Sequence, residues 1–391
     1  MIKELLFIFG GIITGLFTGI TPGIHANTIA FLIIYLPLNN SIEIMLFIVS
    51  MSVSHSVVDA IPNILLGCPS EESFLTILPG HQMLLNGEGL LAIRLTVFGG
   101  LITGIFAIFL FPIFFSFAQN YNAYFPLIIP AILLATIIAM ILNETRKKEA
   151  IVVVLLSGSL GILVLNAGIP NAIFICIAGF FAIPSLLQSF FSETKIPKQN
   201  PPKNTKQKIK IGFLSALISG IISVFPAIGP SQAAFIMKKT TGKINTEEYL
   251  SIIGGINTGN LIFSLLMLYT IGKTRTGMAS AINNINEISF EILLILICSA
   301  IISLGFSVFF AEAIAKKAII FLQKINYKKI NTIILTFISL LVFFTGGFFG
   351  ALACISAIGI SFFGLNSKIK RTHSMAFLML PTMLFYLGIT L

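Results

Sequence analysis

Long apolar runs interrupted by short polar stretches set the rhythm of this chain. Residues 95–117 and 124–142 carry no charged side chain, and 41–66, 250–271 and 288–310 are almost as apolar. A helix needs about 20 residues to cross a hydrocarbon core roughly 30 Å thick, so each run predicts one membrane span. Residues 151–165 and 169–191 predict an out-and-back pair joined at Asn166-Ala167-Gly168, 330–363 predicts a second pair, and a final span starts at His373. Residues 67–89, which hold Glu71, Glu72, His81 and Glu88, read as a polar loop. Residues 311–329, with five lysines, read as an amphipathic stretch at the membrane surface.

Two runs depart from this pattern. In 10–35, GGIITGLFTGITPGIHANTIAFLIIY, Pro22-Gly23 cuts an apolar segment into pieces too short to span. The construction returns at 212–237, GFLSALISGIISVFPAIGPSQAAFIM, with Pro226 in the place of Pro22. Irregular backbone at membrane depth persists only where protein or water surrounds it, and paired interrupted segments in two halves mark a secondary transporter's substrate site. The chain is therefore read as built twice, 1–191 and 211–391, around the linker SETKIPKQNPPKNTKQKIK at 192–210. That linker's six lysines and three prolines predict a stiff, extended, solvated segment.

Basic loops at 146–148, 195–210, 238–243, 316–329 and 368–371 can all face the cytoplasm if the segments between them come in even numbers. Counting each hairpin arm, the parsing gives about seven membrane segments per half. An odd number inverts the second repeat. The expected fold is an all-α integral membrane protein of two inverted-topology repeats, each with a broken, re-entrant hairpin.

Composition closes off the alternatives. With 56% hydrophobic and 10% charged residues and a mean hydropathy of +1.01, this is no soluble globular chain. A net charge of +10 suggests nucleic acid in a soluble protein, but here the lysines sit in loops between apolar runs, so it reads as membrane-surface charge and no nucleic acid is expected. The first run has no small-residue cleavage site after it and recurs internally, so it reads as retained. Cys68, Cys176, Cys298 and Cys354 show neither disulfide nor zinc spacing and read as packing residues.

A helix beginning at membrane depth presents unpaired amides and the positive end of its dipole, which suits an anion. Gly23, His25, Asn27 and Thr28 in the first break and Gly229, Pro230, Ser231 and Gln232 in the second are the expected substrate contacts, the glycines giving backbone access. Asn27, Thr28 and Ser231 could equally serve only as helix caps. Gly11, Gly15 and Gly19 read first as a packing stripe. His55 and Asp59 lie four apart on one span, with Asn63 continuing the stripe beside Pro62, and the matching span carries Asn257, Thr258, Asn260 and Ser264. An ionisable pair inside a membrane points to ion coupling, so His55, Asp59, Asn257 and Asn260 are the expected coupling residues, with Na+ or H+ as the ion; the competing reading is a polar pair that holds helices together. Lys273 and Arg275 lie after an outward-going span and line an anion's route unless they merely snorkel to headgroups. With no HExxH, no GxSxG, no carboxylate paired with Asp59 and no ligand spacing among His25, His55, His81 and His373, neither an enzyme nor a metal site is expected.

These residues carry a resemblance. GLFTGITPGIHANT (15–28), FPAIGPSQA (225–233) and IPNILLGCPSEESFLTILPGHQMLLNGEGLLAI (61–93) resemble the large membrane (permease) subunit of tripartite tricarboxylate transporters, particularly its shorter archaeal-type members. The resemblance spans both halves. It implies an ion-driven permease for a carboxylate or related organic anion, with the paired breaks as its site. It also implies a small membrane subunit and an extracytoplasmic solute receptor as partners. The chain departs from the family pattern at Gly67-Cys68-Pro69-Ser70, where a Pro-Gly-x-Pro turn is usual. A second group with glycine-proline breaks translocates polyprenyl phosphates and supplies the alternative substrate; a passive channel would not need two interrupted halves. The expectation is a multi-pass secondary transporter in the cytoplasmic membrane that carries a small organic anion, a di- or tricarboxylate, without a cofactor.

Overall fold

The computed structural model describes residues 2–21, 26–34, 42–66, 77–119, 125–191, 197–201, 209–223, 233, 237, 244–274, 276–324 and 327–389. Every regular element among them is helical. The first half holds α1 (Ile2–Ile20), α2 (Ala26–Ile34), α3 (Ile42–Val58), α4 (Ala60–Leu66), α5 (Ile77–Leu85), α6 (Gly89–Gln119), α7 (Phe125–Leu142), α8 (Lys147–Asn166), α9 (Ala172–Ile177) and α10 (Ile183–Phe191), a π turn at Ala178–Ala182 joining the last two. The second holds α11 (Ile209–Ile222), α12 (Thr246–Ile271), α13 (Gly277–Asn283), α14 (Phe290–Lys324), α15 (Tyr327–Asn366) and α16 (Ala376–Tyr386) after a 3-10 turn at Arg371–Met375. Among the described residues seven helices are long and apolar enough to cross a membrane, counting α3 and α4 as one.

Two of the seven form the centre. Of their most apolar 18-residue windows, 89% is buried in α3–α4 and 94% in α12, against 22–44% in the other five. A helix that is apolar all round and covered all round is a core helix, so polar side chains on α3 and α12 can face only protein or an internal cavity.

Small residues let these helices approach. A methyl added at Gly11 or Gly15 of α1 would lie 2.8 or 2.7 Å from the Cβ of Ser50 or Ser54 on α3. In the second half the residue types change places: a methyl at Gly255 or Gly259 of α12 would lie 3.0 or 2.7 Å from the Cβ of Ser215 or Ser219 on α11. Each crossing thus holds a glycine against a serine, and at Gly11 and Gly15 an added methyl would come closer still to the Phe47 and Met51 carbonyls, 2.5 and 2.3 Å away, so there the backbones themselves are in contact. The order of contacts also fixes direction. Gly11, Gly15 and Gly19 meet successively later residues of α3, so α1 and α3 run parallel, as do α11 and α12. In contrast, α6 and α14 run antiparallel: Arg94 near the start of α6 pairs with Glu312 late in α14, while Phe115 near the end of α6 packs on Phe290 at the start of α14, 6.1 Å between centroids.

The helices sort into two bundles, neither of which is a sequence half. One contains α1–α6 and α11–α14; the other contains α7–α10, α15 and α16. Among the described residues no helix of one bundle runs closely paired with a helix of the other, although the apolar core is continuous between them. In the second bundle Ser361 of α15 donates to the Phe180 carbonyl (2.8 Å), Arg371 donates to Ser185 and to Gln188, and buried Glu144 holds Lys370 (3.3 Å).

Several segments differ from the pattern-based expectation. The 311–329 stretch is no separate surface helix up to Lys324, because nothing breaks the chain after Phe310; α14 runs on for 35 residues, ~52 Å at 1.5 Å per residue, and near its end Ala311, Ala315, Ile319 and Leu322 are buried while Lys316, Lys317 and Lys324 are exposed. The 67–89 loop contains α5, whose His81 Nδ1 donates to the Ile64 carbonyl at the end of α4 (2.9 Å). The pair expected at 330–363 does occur, as two helices within α15 that meet at Gly347, whose φ of 60° and ψ of −157° only glycine adopts readily. The last helix, α16, has 11 residues, too few to cross. The linker is anchored where it was expected to be solvated: the Gln199 side chain accepts from Gly89 N (2.7 Å) and donates to Leu84 O (3.1 Å), joining the end of α5 to the start of α6, and Asn200 N donates to Gly87 O (2.8 Å). Helix ends leave backbone groups unpaired, and a glutamine carboxamide offers both a donor and an acceptor to them.

Candidate functional site

The first break is framed by its two helices. Ahead of it α1 ends at Ile20, where Thr21 Oγ1 donates to the Phe17 carbonyl (2.7 Å). Beyond it α2 begins at Ala26, so Asn27 and Thr28 fall in the first turn and not at a cap position before it. Pro22, Gly23 and His25 lie outside the described residues, as do Pro226, Gly229, Pro230, Ser231 and Gln232 of the second break, and Arg275.

The expected coupling residues lie beside the end of α1. His55 is 6% exposed, Asp59 5% and Asn63 4%. The Thr18 hydroxyl lies 3.0 Å from His55 Nδ1 and 3.1 Å from the Gly15 carbonyl. A hydroxyl has one proton, so whenever Thr18 donates to Gly15 the imidazole must donate to Thr18. The His55 carbonyl also abuts Gly19, where a methyl would come within 2.7 Å of it. Asp59 sits at a local interruption between α3 and α4, and its Oδ1 accepts from Asn63 Nδ2 at 2.6 Å. Pro62, one turn on, cannot donate to the Val58 carbonyl, so the helix loosens next to its only carboxylate after Glu43. A carboxylate so covered costs several kcal/mol to keep charged unless a cation or proton compensates it.

The second half brings further polar side chains into the same bundle. α12 ends at Gly272 in the left-handed region (φ 62°), which turns the chain toward exposed Lys273. The start of α13 then packs on α2: a side chain at Gly277 would overlap the Asn27 carboxamide, so Asn27 rests directly on the Gly277 backbone. One residue earlier, Thr276 Oγ1 accepts from Ala279 N (3.1 Å) and lies 3.0 Å from Ser264 Oγ of α12. Ser264 gives its proton to Leu261 O (2.7 Å), so Thr276 is the donor between the two hydroxyls. On α12, Gly254 and Thr258 face α6 while Gly255 and Gly259 lie between α6 and α11. The remaining face carries Asn257, half-buried Asn260 and Ser264, one turn apart. Asn257 is 3% exposed and its Oδ1 has no hydrogen-bond partner among the described residues.

Of the expected residues, the structure thus brings Asn27, His55, Asp59, Asn257 and Asn260 into one bundle, and leaves Lys273 exposed at the α12–α13 turn. Thr18, Thr276 and Gly277 were not anticipated. Thr18 was legible as the one hydroxyl continuing the Gly11–Gly15–Gly19 face; Gly277 was not, because its value lies in a contact with a residue far away in sequence. Chemically, this bundle offers buried or half-buried amides and hydroxyls on α12 and α13 together with the buried His55 imidazole and Asp59 carboxylate. Among the described residues no group of three or more His, Cys, Asp or Glu could hold a metal ion.

The profile of the tripartite tricarboxylate transporter TctA family matches residues 5–376. An uncharacterized protein of Methanocaldococcus jannaschii is 30% identical over 410 aligned residues, which cover 98% of this chain and 99% of that protein. No solved structure matches.

Proposed function

The chain belongs to the tripartite tricarboxylate transporter TctA family, and from that premise we propose that it is a permease for a di- or tricarboxylate, coupled to Na+ or H+ and working by alternating access in the cytoplasmic membrane. The observation that carries the proposal is the buried His55–Asp59–Asn63 stripe lying against the end of an interrupted helix. An ionisable pair at that depth costs stability, and ion coupling gives it a reason to be there.

Helix directions support the inverted-repeat reading. If α1, α3–α4 and α6 correspond in order to α11, α12 and α14, the antiparallel run of α6 against α14 is what inverted halves would produce. Parallel α1 and α3 support a re-entrant hairpin, since the chain between them has to return to the side where α1 started. The near-complete burial of α3 and α12 favours an enclosed carboxylate site over the lipid-lined lateral opening that a polyprenyl phosphate would need. In this reading a small membrane subunit and an extracytoplasmic receptor complete the system.

The test is uptake of radiolabelled citrate into proteoliposomes under imposed Na+ or proton gradients, with polyprenyl phosphate as competitor. Gradient-dependent uptake supports the proposal. Gradient-independent leak, or inhibition by the lipid phosphate alone, refutes it.

A further inference from the structure

We infer that the bodies that move past one another during transport are the two helix bundles and not the two sequence halves, so that the binding site travels whole with the bundle of α1–α6 and α11–α14. The inference rests on the proposed transport function.

Three observations carry it. First, the described site residues all lie in that bundle: Asn27, His55 and Asp59 come from the first half, and Asn257, Ser264, Thr276 and Gly277 from the second. Rocking around a fixed site places the site on the seam between the moving bodies. Here the contacts closing the site, such as Asn27 on Gly277, are internal to one body.

Second, the ties between halves fall within bundles. In the first bundle Arg94 holds Glu312, Thr103 donates to the Gly212 carbonyl (3.3 Å), and a methyl at Gly99 or Gly254 would strike the backbone of Ser251 or Thr96. In the second, Ser361 bonds Phe180, Arg371 bonds Ser185 and Glu144 bonds Lys370. Moving one half against the other would tear both sets, and close-packed interfaces shift between discrete arrangements instead of deforming smoothly.

Third, among the described residues the bundles meet through apolar side chains without close backbone pairing. Such a contact has no register of small residues to hold it, so sliding trades one apolar contact for another. The linker belongs to the site bundle as well, since Gln199 fastens it to α5 and α6, and Gln323 of α14 donates to the Pro197 carbonyl (3.0 Å).

Three exposed positions separate the two partitions: Gln82 (first half, site bundle), Lys317 (second half, site bundle) and Lys148 (first half, other bundle). In a cysteine-free background, spin-label pairs at these positions are read by pulsed dipolar spectroscopy in proteoliposomes, with and without citrate and Na+, and uptake is measured in the same vesicles. The expected result is a constant Gln82–Lys317 distance while both distances to Lys148 shift by about one helical turn, roughly 5 Å. A constant Gln82–Lys148 distance with Lys317 moving against both overturns the inference, as do three constant distances in vesicles that take up citrate. Absence of citrate uptake by unlabelled protein overturns the transport reading, and this inference with it.

Discussion

Arg94 grips Glu312 through two charge-assisted hydrogen bonds, Nε to Oε2 at 3.0 Å and Nη2 to Oε1 at 2.5 Å, and so fastens the start of α6 to the charged end of α14. Lys316, one turn beyond, reaches the same carboxylate at 2.7 Å. The side chains are about a quarter to a third exposed, which weakens the pair well below a buried one. Arg94→Ala is expected to lower stability by about 1 kcal/mol, and a double-mutant cycle with Glu312→Ala to return most of that as coupling energy. Thermal unfolding in detergent measures it; independent, additive losses would mean the two residues act separately.

The exchange of glycine and serine between the two halves predicts a compensating swap. Gly15→Ser alone overfills the α1–α3 crossing and is expected to cost about 1–3 kcal/mol. Adding Ser54→Gly removes the Cβ that lies 2.7 Å from the added one but leaves the Met51 carbonyl 2.3 Å from it, so only part of the loss should return. Melting temperatures of the single and double variants decide it, the swap being disproved if the double variant is the less stable.

Asp59→Asn keeps the shape of the side chain and its contact with Asn63 while removing the titratable charge. Ion-gradient-driven citrate uptake is expected to fall at least tenfold, equivalent to about 1.4 kcal/mol, with expression and monodispersity retained. Unchanged uptake and unchanged ion dependence would remove Asp59 from the coupling site. Thr18→Val, which takes away the hydrogen-bond partner of His55, should alter the pH profile of uptake more than its maximum.

Gly277→Val places a side chain where the Asn27 carboxamide lies. Citrate uptake is expected to be lost while insertion is preserved. Gly305→Ala, on α14 with nothing within 4 Å of the added methyl, serves as the control and should be neutral or slightly stabilising. Equal uptake by both variants would show that the α2–α13 contact is not part of the site.

His81, on the short helix α5 near the linker, titrates below the usual histidine range because burial disfavours its charged form, partly offset by its bond to the Ile64 carbonyl. The folded state therefore binds the proton less readily than the unfolded chain. The corresponding stability is present above pH ~6.5 and is lost as the pH falls through the lower folded value. Melting temperature should drop more steeply from pH 7 to 5 in the native chain than in His81→Gln, which keeps a donor for Ile64 without titrating. Parallel curves would contradict this.

Much of this was written in the sequence. The apolar runs dictated a multi-pass helical membrane protein, because a bilayer admits only segments whose backbone groups are satisfied internally. Pro22 marked the stretch where α1 gives way to α2, and the four-residue spacing of His55 and Asp59 put both on one face whatever its neighbours. Partners were another matter. A helix facing lipid and a helix facing another helix are equally apolar, so hydropathy marks the spans without saying which of them pack together. That was settled by complementary pairs far apart in the chain: glycine against serine at the α1–α3 and α11–α12 crossings, Arg94 against Glu312, Asn27 against Gly277. Those contacts divided the helices into two bundles, each drawn from both halves, a division that no repeat in the sequence announces because every half contributes to both.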